Sequence, residues 1–202
     1  MSANHPFLPA ARGKNRLVPA VCVWLLALCF GIPLAGAAQD SPRGEYEWKA
    51  NFLAKSVNFV DWPDDPAAPA ANTFRWCVFG TYSFGTSLAE LTRNITVNGK
   101  RSEVKWIRKE AELSGCQIIF VSRSEMKRYA KVLDATRAGH GLTVGETPDF
   151  LDAGGMVTLL VEGSAPVFEV NLEAVQAARL KLSSRLLALA RRVVNHSTAA
   201  KG

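Results

Sequence analysis

The chain has 202 residues and a formal net charge of +6, with 24 basic and 18 acidic side chains and four cysteines. Three of the basic residues (Arg12, Lys14 and Arg16) stand in an acid-free start, so that without it the charge falls to +3, which gives no warrant for nucleic-acid binding. About 165 residues then remain, enough for one domain with its own core and too few for two.

The start of the chain predicts export. Arg12, Lys14 and Arg16 are followed by an apolar run from Leu17 through Val23, Trp24, Leu25, Leu26 and Phe30 to Leu34, then by Ala35-Gly36-Ala37-Ala38. This is the basic, apolar and small-residue order of a signal peptide over residues 1–38, with cleavage expected after Ala37 or Ala38. An uncleaved anchor is the alternative reading of a run this long, but Pro19, Gly31 and Pro33 interrupt it. Val21 before Cys22 and Leu28 before Cys29 do not fit lipid attachment.

In the remainder, residues 44–194 read as a single domain and 195–202 as a frayed tail. Tyr46, Ala50, Leu53, Val57 and Val60 recur at helical spacing, predicting a helix over 44–60 that ends at Asp61-Trp62-Pro63. A Pro/Ala loop follows at 64–69. Phe74–Gly80 reads as a strand, Ser83–Thr92 as a helix, and Arg101–Arg108 as a strand by its alternation. Gln117–Val121 is apolar throughout and is expected at the sheet centre. Ser122 and Ser124 cap the next helix, which carries Met126, Tyr129, Ala130 and Leu133 on one side.

Gly141–Val144 is a further strand, ending at Gly145. Met156–Val161 and Pro166–Val170, separated by Glu162-Gly163-Ser164-Ala165, read as a hairpin. Helices are expected over Leu172–Ala178 and Ser183–Val194. Strands alternating with helices imply an α/β three-layer sandwich with a mostly parallel central sheet, flavodoxin- or Rossmann-like, and an antiparallel C-terminal hairpin at its edge.

Only Cys77 and Cys116 remain after processing, and an oxidising compartment favours a disulfide between them, two buried free thiols being the alternative. No CxxC pair is present for dithiol catalysis. Gly99-Lys100-Arg101 lacks the flanking residues of a phosphate loop, and Gly139, Gly141 and Gly145 do not make GxGxxG. His140 and His196 have no second ligand at metal-binding spacing. No GxSxG elbow exposes a serine, and Asp64 and Asp65 lie in a loop ahead of the first strand. No catalytic group, cofactor or metal is therefore expected.

The remaining informative region is Asp152-Ala153-Gly154-Gly155-Met156 with Phe168-Glu169-Val170-Asn171. Paired glycines permit a turn closed to other residues, and Gly154, Gly155, Met156, Glu169 and Asn171 form a candidate partner or ligand surface.

These segments together resemble the YfiR-like family of small periplasmic proteins. The resemblance runs from about Glu47 to Ala190. It comprises Lys49-Ala50-Asn51-Phe52-Leu53, Val57-Asn58-Phe59-Val60-Asp61-Trp62-Pro63, Phe74–Gly80, Cys116–Ser122, Gly154-Gly155-Met156, Phe168–Leu172 and Leu180–Leu187. It implies a periplasmic homodimer that binds the periplasmic region of an inner-membrane diguanylate cyclase and represses it, lowering cyclic di-GMP and biofilm formation. Such a protein touches the membrane only through its partner. The family's redox logic maps onto Cys77 and Cys116, while its best-known member carries a second cysteine pair that this mature sequence lacks. The alternative function is a small-ligand-binding or envelope accessory protein, with Thr81–Phe84 and Ser122–Ser124 lining a pocket.

Overall fold

A computed structural model describes residues 42–63, 72–81, 84–137 and 139–194, all within the unit Asp40–Gly202. The expected signal peptide, the 64–69 loop and the 195–202 tail lie outside the described residues. Helix α1 (Pro42–Ser56) passes through a 3-10 turn, Val57–Phe59, into a two-residue strand β1 (Val60–Asp61). The helix expected to reach Val60 thus ends at Ser56, its last apolar residues continuing as the 3-10 turn and β1. Its inward stripe is Tyr46, Lys49, Ala50, Leu53 and Val57, all buried.

The sheet follows from the apolar runs. It contains β2 (Thr73–Phe79), β3 (Thr96–Val97), β4 (Lys100–Ile107), β5 (Ile118–Val121), β6 (Leu142–Gly145), β7 (Val157–Glu162), β8 (Ala165–Asn171) and β10 (Arg192–Val194). Their spatial order is β10-β8-β7-β6-β5-β2-β4-β3. β4, β2, β5, β6 and β7 are mutually parallel, β7 and β8 form the antiparallel hairpin, and β3 pairs antiparallel with β4. The fully buried β5 lies near the middle, as an all-apolar strand requires. A separate strand β9 (Lys181–Leu182) pairs antiparallel with β1.

Two cores flank the sheet and give the three layers. One packs α1, α2 (Ser87–Thr92), α5 (Leu172–Ala177) and α6 (Ser184–Leu189) on Trp76, Val78, Phe120, Val144 and Val170. The other gathers Cys77, Phe79, Ile119 and Val121 with α3 (Tyr129–Thr136) and α4 (Asp149–Asp152). In α3 the inward residues are Tyr129, Val132, Leu133 and Thr136, whereas Met126 lies in the preceding 3-10 turn Arg123–Arg128 and is 46% exposed. The expected inward position of Met126 is thus corrected: the tighter turn rotates it away from the helix face.

The last helix also differs from expectation, since α6 stops at Leu189 and Arg192–Val194 becomes β10, parallel to β8. Val193 and Val194 are β-branched and suit a strand. Arg191 and Arg192 meanwhile reach the buried carboxylate of Glu169 on β8, a partner that continued helix would not supply.

The disulfide joins Cys77 on β2 to Cys116 just before β5, with Cα atoms 5.9 Å apart and both residues buried. It ties together two neighbouring parallel strands that are separated by the whole β4 excursion.

Phe150 of α4 explains two glycines. A Cβ on Gly145 or on Gly155 would fall 2.2 Å from ring atoms of Phe150, which is itself fully buried. The ring occupies a slot between β6 and the turn before β7, and that slot exists only without side chains there. Gly155→Ala is expected to lower stability by about 1–3 kcal/mol through overpacking, measured by urea unfolding. An unchanged midpoint would contradict this packing.

Candidate functional site

Open α/β sheets bind ligands at the carboxyl ends of their strands, where successive connections leave in opposite directions. Here that switch lies between β2 and β5, because β4 flanks β2 on the far side. The two loops at the switch are bonded to each other. Gly80 (φ +96) turns the chain, the Thr81 N–H donates to Ser124 Oγ at 2.9 Å, and the Ser122 N–H donates to the Phe79 carbonyl at 3.0 Å.

Phe84 fills the space below. It is buried, with its ring centroid 5.4 Å from that of Tyr46 and 4.8 Å from that of Phe120, both edge-on. Of the described residues of the expected pocket loops, Phe84 and Ser122 are buried, whereas Arg123 and Ser124 are exposed. Thr81 is exposed at the rim, and residues 82 and 83 lie outside the described set.

Beside this plug, over the ends of β5 and β6, sits a cluster of four charges. Glu146 follows the last residue of β6 and Arg123 follows β5, while α1 contributes Glu45, Tyr46 and Lys49 one helical turn apart. Lys49 Nζ donates to Glu146 Oε2 at 2.5 Å, and neither side chain has any solvent exposure. Lys49 also pairs with Glu45. Glu146 further accepts the Tyr46 hydroxyl at 3.0 Å and the Arg123 backbone N–H at 2.8 Å. The Arg123 guanidinium, half exposed, covers the group at 2.9 Å from Glu45 and 3.4 Å from Glu146.

The cluster balances two cations against two carboxylates, with every charge hydrogen-bonded, as burial demands. Burial acts to raise the Glu146 carboxyl. The hydrogen bonds from Lys49 and from the Arg123 backbone, with both positive charges, outweigh it and hold Glu146 below its ordinary value. Burial likewise acts to lower Arg123, but the Glu146 charge prevails and raises it. An ionised Glu146 so engaged fixes the first half of α1 across the sheet end. It is a positioning arrangement with each group already committed.

On sequence, Arg123 falls in a candidate pocket loop and Lys49 in a family-like segment, but neither of them, nor Glu45 or Glu146, has an evident charged partner. The one local signal is Lys49 itself, a lysine inside the apolar stripe Tyr46-Ala50-Leu53, since such a cation is buried only when paired.

The residues that were singled out before the hairpin turn inward. Gly154 takes φ +97 and the Gly155 N–H donates to the Phe150 carbonyl at 2.9 Å. Met156 is buried; its N–H donates to Thr143 Oγ1 at 3.2 Å and its carbonyl accepts the Asn171 N–H at 2.8 Å. Asn171 Oδ1 caps α5 by accepting the Ala174 N–H at 3.1 Å. Glu169, 1% exposed, is held by Arg191 and by Arg192, whose Nε lies 3.0 Å away. The structure joins Met156 and Asn171 directly, but the side chains of Met156, Glu169 and Asn171 are interior. What this region offers outward is the partly exposed pair Arg191 and Arg192.

Among the described residues no helix is long and apolar enough to cross a membrane, and no group of three or more His, Cys, Asp or Glu is placed to hold a metal. Two solved structures are similar at 10% identity. They are the ABC domain in complex with L-Trp from Streptococcus pneumonia and a conserved domain protein from Vibrio cholerae, each with a TM-score of 0.49 and covering 74% of this chain. The chain spans 60% of the length of each, and at this score the likeness carries no functional argument. A family model described as YfiR/HmsC-like matches residues 46–191, a span that contains the charge cluster apart from Glu45, the disulfide and all of the sheet except β10. The chain belongs to the YfiR/HmsC-like family.

Proposed function

We propose that this protein is exported by its N-terminal segment and acts as a periplasmic repressor, binding the periplasmic region of a membrane-bound diguanylate cyclase and lowering cyclic di-GMP output and biofilm formation. Membership of the YfiR/HmsC-like family over residues 46–191 is the observation that carries this reading. The resemblance also carries a homodimer as the acting form and a regulatory rather than catalytic role.

Repression requires differential affinity: the protein shifts the cyclase only so far as it binds the inactive conformation more tightly than the active one. A hundredfold preference corresponds to about 2.7 kcal/mol and lowers the active fraction of a balanced cyclase to about 1% at saturation. Deleting the gene is therefore expected to raise cellular cyclic di-GMP several-fold. The rise should disappear when the responding membrane cyclase is deleted as well. Unchanged nucleotide levels in cells expressing both proteins would overturn the proposal.

A further inference from the structure

We infer that the end of the sheet formed by β3 and β4 is a membrane-contact surface, whose basic side chains meet the phosphate headgroups of an anionic bilayer. Residues 93–109 contain six basic side chains and one acid, Glu103, whereas the rest of 42–194 contains fourteen basic and sixteen acidic ones. The domain's entire surplus of positive charge is thus placed at this end. Arg93, Arg101, Arg108 and Lys109 are exposed and Lys100 is half-buried, and none of the five has an ion pair to a described residue.

The chain gathers these cations by doubling back. α2 packs against β4 and leads into Arg93, Ser102 Oγ donates to the Ile95 carbonyl at 2.5 Å, and β3 pairs with Lys100 and Arg101. Asn98 (φ +48) and Gly99 (φ +76) take the left-handed conformation that so tight a hairpin requires. Arg93, Lys100 and Arg101 therefore share the start of β4. Arg108 and Lys109 follow its end, about 23 Å further along at roughly 3.3 Å per residue. The acids nearby do not cancel this charge. Glu103 is held by Arg75 at 3.0 Å and lies 3.8 Å from Lys105, and Glu110 is bound by Arg128 and Lys131. The Glu112 carboxylate accepts the backbone N–H groups of Arg108 and Lys109 at 3.3 and 3.4 Å, and Glu90 on α2 is a single exposed acid.

Side-chain direction identifies the shape of the partner. Lys100 and Arg101 are neighbours in a strand and leave it on opposite faces of the sheet. A protein docked on either face would meet only part of the charge, whereas a flat surface laid against the end of the sheet meets all of it. A bilayer containing phosphatidylglycerol is such a surface, and each Lys or Arg brought to it strengthens attachment about fivefold. This contact goes beyond the proposed repression, and it differs from the membrane contact through a partner alone that the resemblance implies. It would hold the protein beside a membrane-bound cyclase and raise its local concentration there.

The test needs no cyclase. The mature chain would be sedimented with vesicles of phosphatidylethanolamine and phosphatidylglycerol, and separately with vesicles of phosphatidylcholine, at physiological ionic strength, where screening limits the reach of each charge to about 8 Å. Association with the first kind only is expected, and it should be lost at high salt. R101E/R108E, at two exposed positions without ion pairs, should keep the melting temperature of the parent and weaken association at least about tenfold. R137E/R185E changes the net charge equally at exposed positions outside 93–109 and should leave association unchanged.

Equal sedimentation with both kinds of vesicle, or with neither, would overturn the inference. So would undiminished association of R101E/R108E, or equal weakening by the two double variants. Capture of a polyglutamate peptide in place of the vesicles would also overturn it, and would make this end of the sheet a site for an acidic protein. Vesicle association together with an unchanged cyclic di-GMP level after gene deletion would uphold the membrane contact while removing only the repression.

Discussion

Replacing Lys49 with methionine is expected to destabilise the fold by about 3–5 kcal/mol, because it strands the Glu146 carboxylate in a dry site. Glu146 would keep the Tyr46 hydroxyl, the Arg123 N–H and the half-exposed Arg123 guanidinium at 3.4 Å, yet lose the fully buried cation that lies 2.5 Å away. The double variant K49M/E146Q should recover most of the loss. The amide oxygen introduced by E146Q would still accept from Tyr46 and Arg123, and Glu45 with Arg123 would remain a balanced pair. Urea unfolding of the four forms closes the cycle, and a single variant no less stable than the parent would refute the buried charge pair.

Acidity provides an independent view of the same group. Glu146 is held below its ordinary value in the fold, so its contribution is present above the unfolded carboxylate pKa of about 4.3 and is lost as pH falls through the lower folded value. Glu110, on the exposed side, behaves with the same sign. The hydrogen bond from Arg128 leads its displacement to about 2, which places its loss between the ordinary 4.5 and that value. E146Q should flatten the acid limb of stability against pH, and a limb of unchanged slope would contradict the assignment.

Breaking the disulfide is expected to cost about 4 kcal/mol in the chain-entropy model, since Cys77 and Cys116 lie 39 residues apart and close a loop that includes α2, β3 and β4. A C77A/C116A variant removes the cross-link without leaving thiols to exchange. Its urea midpoint should match that of reduced parent protein. Both sulfurs are buried, so reduction of the native protein should be slow and should follow opening of the β2–β5 region. Rapid reduction under native conditions, or equal stability with and without the cross-link, would show that the bridge does not restrain the unfolded chain.

The parts of this fold that were legible in sequence are those governed by short-range pattern. Apolar runs such as Ile118–Val121 and the alternation along β4 locate strands because burial on one or both sheet faces imposes that pattern. The hairpin at 162–165 is legible for the same reason. β9 and β10 were not, being two and three residues long and existing only because distant partners receive them. β10 depends on Glu169, a carboxylate 22 residues before Arg191.

The charge cluster was illegible for a related reason. Lys49 and Glu146 are 97 residues apart, and a lysine within an apolar stripe hints at a buried pair without naming its partner. The paired glycines were noticed but their cause was hidden, because it is the ring of Phe150 rather than a ligand that needs the space. Glu169 and Asn171 were noticed as polar residues near a turn. Their polar groups are spent inside, on two arginines and on a helix cap.

The claim that this family member represses a cyclase is tested most directly by reconstitution. The membrane cyclase whose deletion cancels the effect of losing this protein would be placed in proteoliposomes with its periplasmic region outward, supplied with GTP inside, and assayed with and without the mature chain added outside. Saturable loss of cyclic di-GMP synthesis on addition, at least about tenfold at saturation, is the result expected of a repressor. An unchanged rate of synthesis, with the added protein folded and its disulfide intact, would contradict the account.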